Sequence, residues 1–340
     1  MKLSLLPLLA CPGCGGSLSF SRLEAMPRDG EDLRDGALGC KACSKEYPIV
    51  EGIPRLFADP ELEASVRQTG ESFGWEWLRY PGAMPEDRSV FLTETQVPEA
   101  DWAGRLVLDG GCGMGRYARI ARSLGAEVVA FDLSESLQRL VDEARADPRL
   151  HLVQGDILRP PFKPGRFDVV YSIGVIHHTK SAEQALGRLG ALVKPEGLLT
   201  LWVYGRPGSW KSFSTNPLRT GREWLKKLLF FVWLVVWARR LLSDFARVFT
   251  TRLPVPLLYG LCHPLALLGA LPGLKYLTFS VHADYRVRLQ ENFDWLAPPY
   301  QSKHTKEELK AWFEAAGFTA LSQLAHGVVP KVGFLGKKKR

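Results

Sequence analysis

Among its 340 residues the sequence has no apolar run of the ~20 residues that a membrane-spanning helix requires. The longest block, "LLFFVWLVVW" at 228–237, would make about 15 Å of helix, half of a bilayer core. A second stretch, 253–274, is free of charge, but Pro254, Pro256, Pro264 and Pro272 break it. Negative charge is also short: 36 Asp and Glu face 44 Lys and Arg, leaving +8. That balance suits nucleic acid, an anionic membrane surface or an acidic substrate, and does not choose among them. The terminal "GKKKR" supplies four of the cations and reads as a solvated end. Apolar content of 46% is ordinary for a globular chain, and the length holds one large domain plus something smaller.

Cysteine is scarce outside the N-terminus. Cys112 and Cys262 stand alone, whereas Cys11, Cys14, Cys40 and Cys43 form two C-x-x-C pairs. Four soft thiolates are what tetrahedral Zn2+ requires, and Gly13, Gly15 and Gly16 ease the turn that aims amides at the sulfurs. The 25-residue loop between the pairs is long but acceptable for a zinc ribbon. The opening "MKLSLLPLLACPGC" has the look of a signal peptide, yet cleavage there would remove half of the four-Cys set. A cytoplasmic chain with reduced or metal-bound thiols is therefore expected, and a disulfide pair is the weaker reading.

"LLACPGCGGSL" and "LGCKACSKEYPIVEGIPRLF" together resemble the small zinc-ribbon proteins that act as activator subunits of methyltransferases, over about residues 3–57. The resemblance implies a structural zinc and a scaffold that is not itself catalytic. A nucleic-acid-binding ribbon is the alternative, without the concentration of Arg and aromatics that would favour it.

"GRLVLDGGCGMGRYARIARSLGAEVVAFDLS" reads as strand, glycine turn, helix, strand. Leu106–Leu108 is a short run of the kind buried on both faces of a parallel sheet. Asp109, Gly111, Gly113 and Gly115 follow, and Asp132 closes the next strand where a carboxylate can accept both hydroxyls of a ribose. An acid before the glycines disfavours a pyrophosphate and suits a cationic amino group, such as the methionine end of S-adenosyl-L-methionine. "HLVQGDI" ends in Asp156 and Ile157, which would take the adenine amino group and ring face. "FDVVYSIGVIHHT" opens a fourth strand, with Ser172, into a loop carrying His177 and His178. "SAEQALGRLGALV" begins with a Ser181/Gln184 capping box, and "KPEGLLTLWVY" is a turn and a fifth strand. Alternating strands and helices predict a doubly wound parallel sheet with ligands at its carboxyl edge.

This order resembles the class I S-adenosylmethionine-dependent methyltransferases, especially the ubiquinone- and menaquinone-biosynthesis group, across about residues 104–204. The resemblance implies a mostly parallel, seven-stranded Rossmann-like sheet. It places Asp109, Gly111, Gly113 and Gly115 at the methionine end, Asp132 at the ribose, Asp156 and Ile157 at the adenine, and Leu133 and Ser172 in the same site. Glu196 departs from the family's usual Gly in a turn. No N-P-P-Y or D-P-P-Y follows the fourth strand, so the grip on a nucleobase amine is missing. His177 or His178 could instead take a proton from a hydroxyl, having an ordinary pKa near neutrality; local hydrogen bonding is the competing role. Upstream, Phe73, Trp75, Trp77 and Tyr80 sit on an expected helix that covers the cofactor or simply packs.

"HTKEELKAWFEAAGF" carries a Thr305/Glu308 capping box and fits the last helix of such a fold, with "FTALSQLA" and "KVGFLGKK" as the closing strands. The expected organisation is a ribbon at 1–60, a helical linker and lid at 61–103, the cofactor core at 104–204, an acceptor-side insertion at 205–300, and the completing helix and strand pair at 301–340. An insertion that leaves and rejoins one sheet cannot cross a membrane an odd number of times. Lys226, Arg240, Asp244 and Arg247 share a side of its first helix with Phe230, Trp233 and Trp237. Such a helix either packs on several faces or lies partly in lipid, as a cap over an apolar acceptor at the inner face of the membrane. Asp294, Tyr300 and His304 are candidate acceptor contacts. The expected reaction is methyl transfer to oxygen or carbon of a small or lipid-like metabolite. An RNA methyltransferase and a non-catalytic scaffold are the alternatives, nucleic acid being the weaker partner.

Overall fold

The computed structural model describes residues 1–23, 32–59, 64–79, 82–206, 223–272, 274, 278–280, 282–324 and 331–340, with only the helical backbone at 223–233 and 236. The expectations for Tyr80, and for the side chains of Lys226, Phe230 and Trp233, lie outside the described residues.

Short apolar runs form the strands. The N-terminal segment contributes β1 (Leu18–Leu23), β2 (Gly36–Cys40), β3 (Glu46–Val50) and β4 (Ile53–Leu56), paired antiparallel in sequence. The core contributes β5 (Leu106–Gly110), β6 (Glu127–Asp132), β7 (Leu150–Gly155), β8 (Phe167–Ile173) and β9 (Val193–Tyr204), all parallel. The C-terminus adds β10 (Phe318–Gln323) and β11 (Lys331–Lys338), with β11 antiparallel to β9. The spatial order is β1-β2-β3-β4-β7-β6-β5-β8-β9-β11-β10. Its last seven strands are the doubly wound sheet that the sequence predicts, and the order reverses between β5 and β8, where ligands of such sheets bind.

The remaining four strands extend that sheet rather than standing apart. β4 lies parallel to β7, with Arg55 opposite Gln154 and Leu56 opposite Gly155. A Cβ at Gly155 would come 2.7 Å from the Leu56 carbonyl oxygen, so glycine permits the approach.

Alternation along β5 sends Val107 to one core and Leu108 to the other. Val107 packs with α2 (Asp87–Thr95), α3 (Arg116–Ser123) and α4 (Val141–Ala146) through Phe91, Ala118, Ala121, Val141 and Ala144. Leu108 packs with α5 (Ala182–Leu192) and α9 (Lys306–Ala315) through Leu186, Leu189, Leu309 and Phe313. Each Val, Leu or Phe among them contributes on the order of 1.5–3 kcal/mol by leaving water. α9 starts with both bonds of its capping box, and Ser181 Oγ accepts from Gln184 N at 3.3 Å to start α5. Glu196 adopts φ +63° in the turn entering β9.

Four further helices flank the carboxyl edge. α1 (Ala64–Arg79) precedes the core. The insertion forms α6 (Glu223–Thr250), α7 (Val255–Leu268) and α8 (Tyr285–Leu296). Leu258, Cys262 and Ala266 of α7 pack on Leu289, Phe293 and Leu296 of α8, with Trp75 of α1 against them. α6 turns Arg240 inward, 3% exposed, whereas Phe245 is 66% exposed. Trp237, Leu241, Leu242, Val248 and Phe249 are exposed with Phe245, as are Leu257, Leu261 and Leu267 of α7. No helix among the described residues is long and apolar enough to cross a membrane.

Candidate active site

β5 delivers the chain into a turn that only glycine accepts easily: φ is +86° at Gly111, +54° at Gly113 and +84° at Gly115. A Cβ at Gly111 would lie 2.4 Å from the Val175 side chain, and one at Gly115 would lie 2.4 Å from Leu140. Under this turn Asp109 is 2% exposed, and its Oδ2 has no hydrogen-bond partner. Burial, reinforced by the charge of Asp132, pushes its carboxyl up to about 8.

Asp132 ends β6 and braces the turn. One oxygen accepts from Gly113 N at 2.8 Å, and the other accepts from Ser134 N and Oγ, both at 2.7 Å. Burial raises its pKa. The Leu133 carbonyl accepts from Gln154 Nε2 at 3.1 Å. Asp156, just past β7, accepts from Leu158 N at 2.9 Å, and burial raises its carboxyl also; Ile157 beside it is buried. The fold thus brings Asp109, the three glycines, Asp132, Leu133, Asp156 and Ile157 to the carboxyl ends of β5, β6 and β7. Ser172 is fully buried and donates to the Gly110 carbonyl at 2.7 Å, tying β8 to β5.

α1 lies across this edge, closest at its glycines. Ideal Cβ positions at Gly70 and Gly74 fall 3.3 Å from Leu133 and 3.6 Å from Ser134, and Gly113 faces the Trp77 ring at 3.2 Å. Arg139 donates to the Trp77 carbonyl at 3.0 Å. The sequence signal for this contact was the Gly70/Gly74 spacing, one helical turn apart, which the reading of aromatics on that helix passed over.

The paired histidines have different surroundings. His177 is fully buried between Trp202 and Tyr204, with ring centroids at 5.7 and 4.0 Å, and neither ring nitrogen has a partner. Burial holds it well below the ordinary histidine range. His178 Nδ1 lies 3.0 Å from the Tyr300 carbonyl, which can only accept, so Nδ1 carries the proton. Its Nε2 then faces Asp294 Oδ1 at 3.8 Å, while Tyr204 donates to the other Asp294 oxygen at 3.1 Å. Burial lowers the His178 pKa despite the charge of Asp294. Phe73 of α1 meets the His178 ring edge-on at 5.1 Å. Tyr300 donates to Ser65 Oγ at 3.0 Å, and His304 Nε2 pairs with Ser302 Oγ at 2.8 Å. Glu76, a buried carboxyl of α1 with an unpartnered oxygen, was not singled out by the sequence; its burial and the nearby Asp294 raise its pKa well above normal.

At the other end of the chain, one ligand atom from each of Cys11, Cys14, Cys40 and Cys43 lies within 4.8 Å of the others. Two matching turns produce this: Gly15 N bonds the Cys11 carbonyl and Ser44 N bonds the Cys40 carbonyl, both at 2.8 Å. Gly15 and Ser44 take φ of +75° and +58° at equivalent places. A Cβ at Gly16 would sit 3.1 Å from the Cys40 sulfur.

Residues 108–201 match the family model described as a methyltransferase domain, and residues 2–52 match that of Trm112p-like proteins. The chain carries a methyltransferase domain. An uncharacterized chloroplastic methyltransferase of Arabidopsis thaliana is 27% identical over 62% of this chain and 65% of its own. A malonyl-[acyl-carrier protein] O-methyltransferase of Enterobacter lignolyticus is 38% identical over 33% of this chain and 46% of its own. A mitochondrial ubiquinone biosynthesis O-methyltransferase of Schizosaccharomyces pombe is 31% identical over 39% and 51%. The chain thus spans between about half and two thirds of these relatives. Among solved structures, a Burkholderia thailandensis 1,6-didemethyltoxoflavin-N1-methyltransferase aligns over 83% of this chain and 93% of its own, at 16% identity and a TM-score of 0.43.

The methyltransferase domain fits S-adenosylmethionine on its own geometry. The buried orphan oxygen of Asp109 calls for a cationic donor, which the methionine ammonium supplies. Asp132 Oδ2, which accepts only from Gly113 N, retains a lone pair for a ribose hydroxyl, and Asp156 with Ile157 offers an acceptor beside an apolar face. The Trm112p-like segment fits zinc equally: four unbridged thiols at this spacing match the tetrahedral thiolate set.

Proposed function

We propose that the protein is an S-adenosylmethionine-dependent methyltransferase acting on oxygen or carbon of a small, lipid-like metabolite. The observation that carries this reading is the unpartnered Oδ2 of Asp109, buried beneath the Gly111–Gly115 turn at the sheet's point of reversal. S-adenosylmethionine supplies an electrophilic methyl on a sulfonium, so the protein must align a nucleophile and remove its proton. His178 suits that task better than His177: its Nδ1 is held by Tyr300, and its Nε2 lone pair is presented beside Asp294. His177, with no polar partner, supports the aromatic wall formed with Trp202 and Tyr204. Two relatives whose names specify O-methylation favour oxygen as the acceptor atom.

The lipid-like acceptor rests on the insertion. α6 and α7 present apolar side chains outward while α6 keeps Arg240 inward, the orientation suited to resting on a membrane. Calorimetry with S-adenosylmethionine tests the first part, and a protein that gives no binding heat would end it. Metabolites of a deletion strain should include a species lighter by one methylene than its normal counterpart. Flotation with anionic vesicles tests the membrane surface: the protein should float, Phe245→Glu with Leu267→Glu should not, and sedimentation of both would remove this contact.

A further inference from the structure

At the carboxyl end of β9, three cations converge beneath α6. Arg240 donates to the Gly205 carbonyl, Arg247 donates to Gln301 Oε1 and, at 2.8 Å, to Asp244 Oδ1, and Lys303 pairs with the second Asp244 oxygen. Their side chains are shielded: Arg247 and Lys303 are each 13% exposed. Asp244 is the one carboxylate that touches Arg247 or Lys303 among the described residues, and the next nearest, Asp294, is engaged by Tyr204 and faces His178.

The sign of what is left over is uniform. Arg247 Nε and Gln301 Nε2 are buried without partners, and both are donors. Gln301 is 9% exposed, and its orientation is set because Oε1 must accept from Arg247. Arg247 and Lys303 carry two positive charges against the single charge of Asp244, and a partly buried cluster of that sign with spare donors is costly unless an acceptor bearing negative charge completes it. Burial lowers the Lys303 ammonium, with Arg240 and Arg247 pushing the same way against Asp244. The place is also right, since Arg247 and Arg240 act electrostatically on Tyr204, and Arg247 on His178, at the edge where the acceptor must meet the cofactor.

We propose that Arg240, Arg247, Lys303 and Gln301 form an anion-binding subsite for the acidic group, carboxylate or phosphate, of the methyl acceptor. The subsite rests on the methyltransferase reading above and narrows its substrate to an apolar molecule with an acidic head. Planar guanidinium forks suit either oxyanion.

Dodecanoate, dodecyl phosphate and dodecanol, titrated below their aggregation concentrations into the full zinc-loaded chain, test it by calorimetry. At least one acid should bind tenfold or more tightly than the alcohol, and the stronger acid identifies the head group. Lys303→Gln should weaken acid binding roughly tenfold and leave the alcohol unchanged. Asp244→Asn, which removes the competing carboxylate, should tighten acid binding, a gain that a purely structural ion pair would not produce. Unchanged S-adenosylmethionine affinity certifies that each variant is folded. Equal binding of acids and alcohol, or acid affinities that neither substitution moves, overturns the subsite. Failure of the unmodified chain to bind S-adenosylmethionine would instead strike the methyltransferase reading.

Discussion

Replacing Asp109 by Asn should stabilise the protein and cripple its cofactor site at once. Burial raises this carboxyl from an ordinary 3.8 to about 8. At 1.36 kcal/mol for each pH unit, ionising it in the fold costs roughly 5–6 kcal/mol, an upper bound because relaxation and water entry absorb part. A raised native pKa helps the fold at low pH. Its contribution is whole below about 4, where both states hold the proton, and falls as pH rises until the folded carboxyl itself ionises near 8. Urea denaturation of the cofactor-free protein should therefore show stability declining across that window, and Asp109→Asn should flatten the decline and win by several kcal/mol at pH 8. S-adenosylmethionine affinity should behave oppositely. It should rise toward pH 8 as the carboxylate becomes available to the ammonium, and Asn should lose roughly 10–100-fold with that slope abolished. A variant that is less stable at pH 8 and binds the cofactor normally would refute the argument that Asp109 is kept for its charge.

Three other outcomes are expected. Gly111→Ala meets both a left-handed φ and the Val175 side chain 2.4 Å away, so it should cost about 1–3 kcal/mol; pairing it with Val175→Ala should recover part, as read by thermal denaturation. His178→Asn keeps a donor for the Tyr300 carbonyl but removes the Nε2 base, so turnover should drop roughly 10²–10⁴-fold with cofactor affinity intact; equal turnover would clear His178 of a proton-transfer role. Cys40→Ser should reduce bound zinc from about one per chain toward none by elemental analysis, and chelator should lower the melting temperature of the parent far more than that of the variant.

Legibility in the sequence followed the range of the interaction. The turn after β5 could be read because positive φ is a local demand that glycine meets, and Asp132 because a strand end positions whatever residue stands there. The Thr305 and Ser181 starts of α9 and α5 are equally local, each a bond across three residues. The paired Cys turns required only their own spacing. By contrast, His177 and His178 are neighbours that no sequence rule separates. Their difference comes from Tyr300, over 120 residues away, whose carbonyl holds one ring while Trp202 and Tyr204 enclose the other. The approach of α1 to the cofactor turn depends on Gly70 and Gly74 meeting Leu133 and Ser134, again across a long loop of chain.

By itself, then, the sequence determined a thiolate set for zinc, a glycine cradle for a cationic cofactor and the alternation of a doubly wound sheet, because each is encoded in contacts a few residues long. The tertiary structure alone decided three matters: that β4 of the N-terminal segment extends the core sheet at β7, that α6 turns Arg240 inward and Trp237, Phe245 and Phe249 outward, and that Arg247 and Gln301 meet where Lys303 pairs with Asp244. The physical reason is common to all three. A strand edge, a helix face and a buried charge each have several acceptable partners locally, and only packing of the whole chain selects among them.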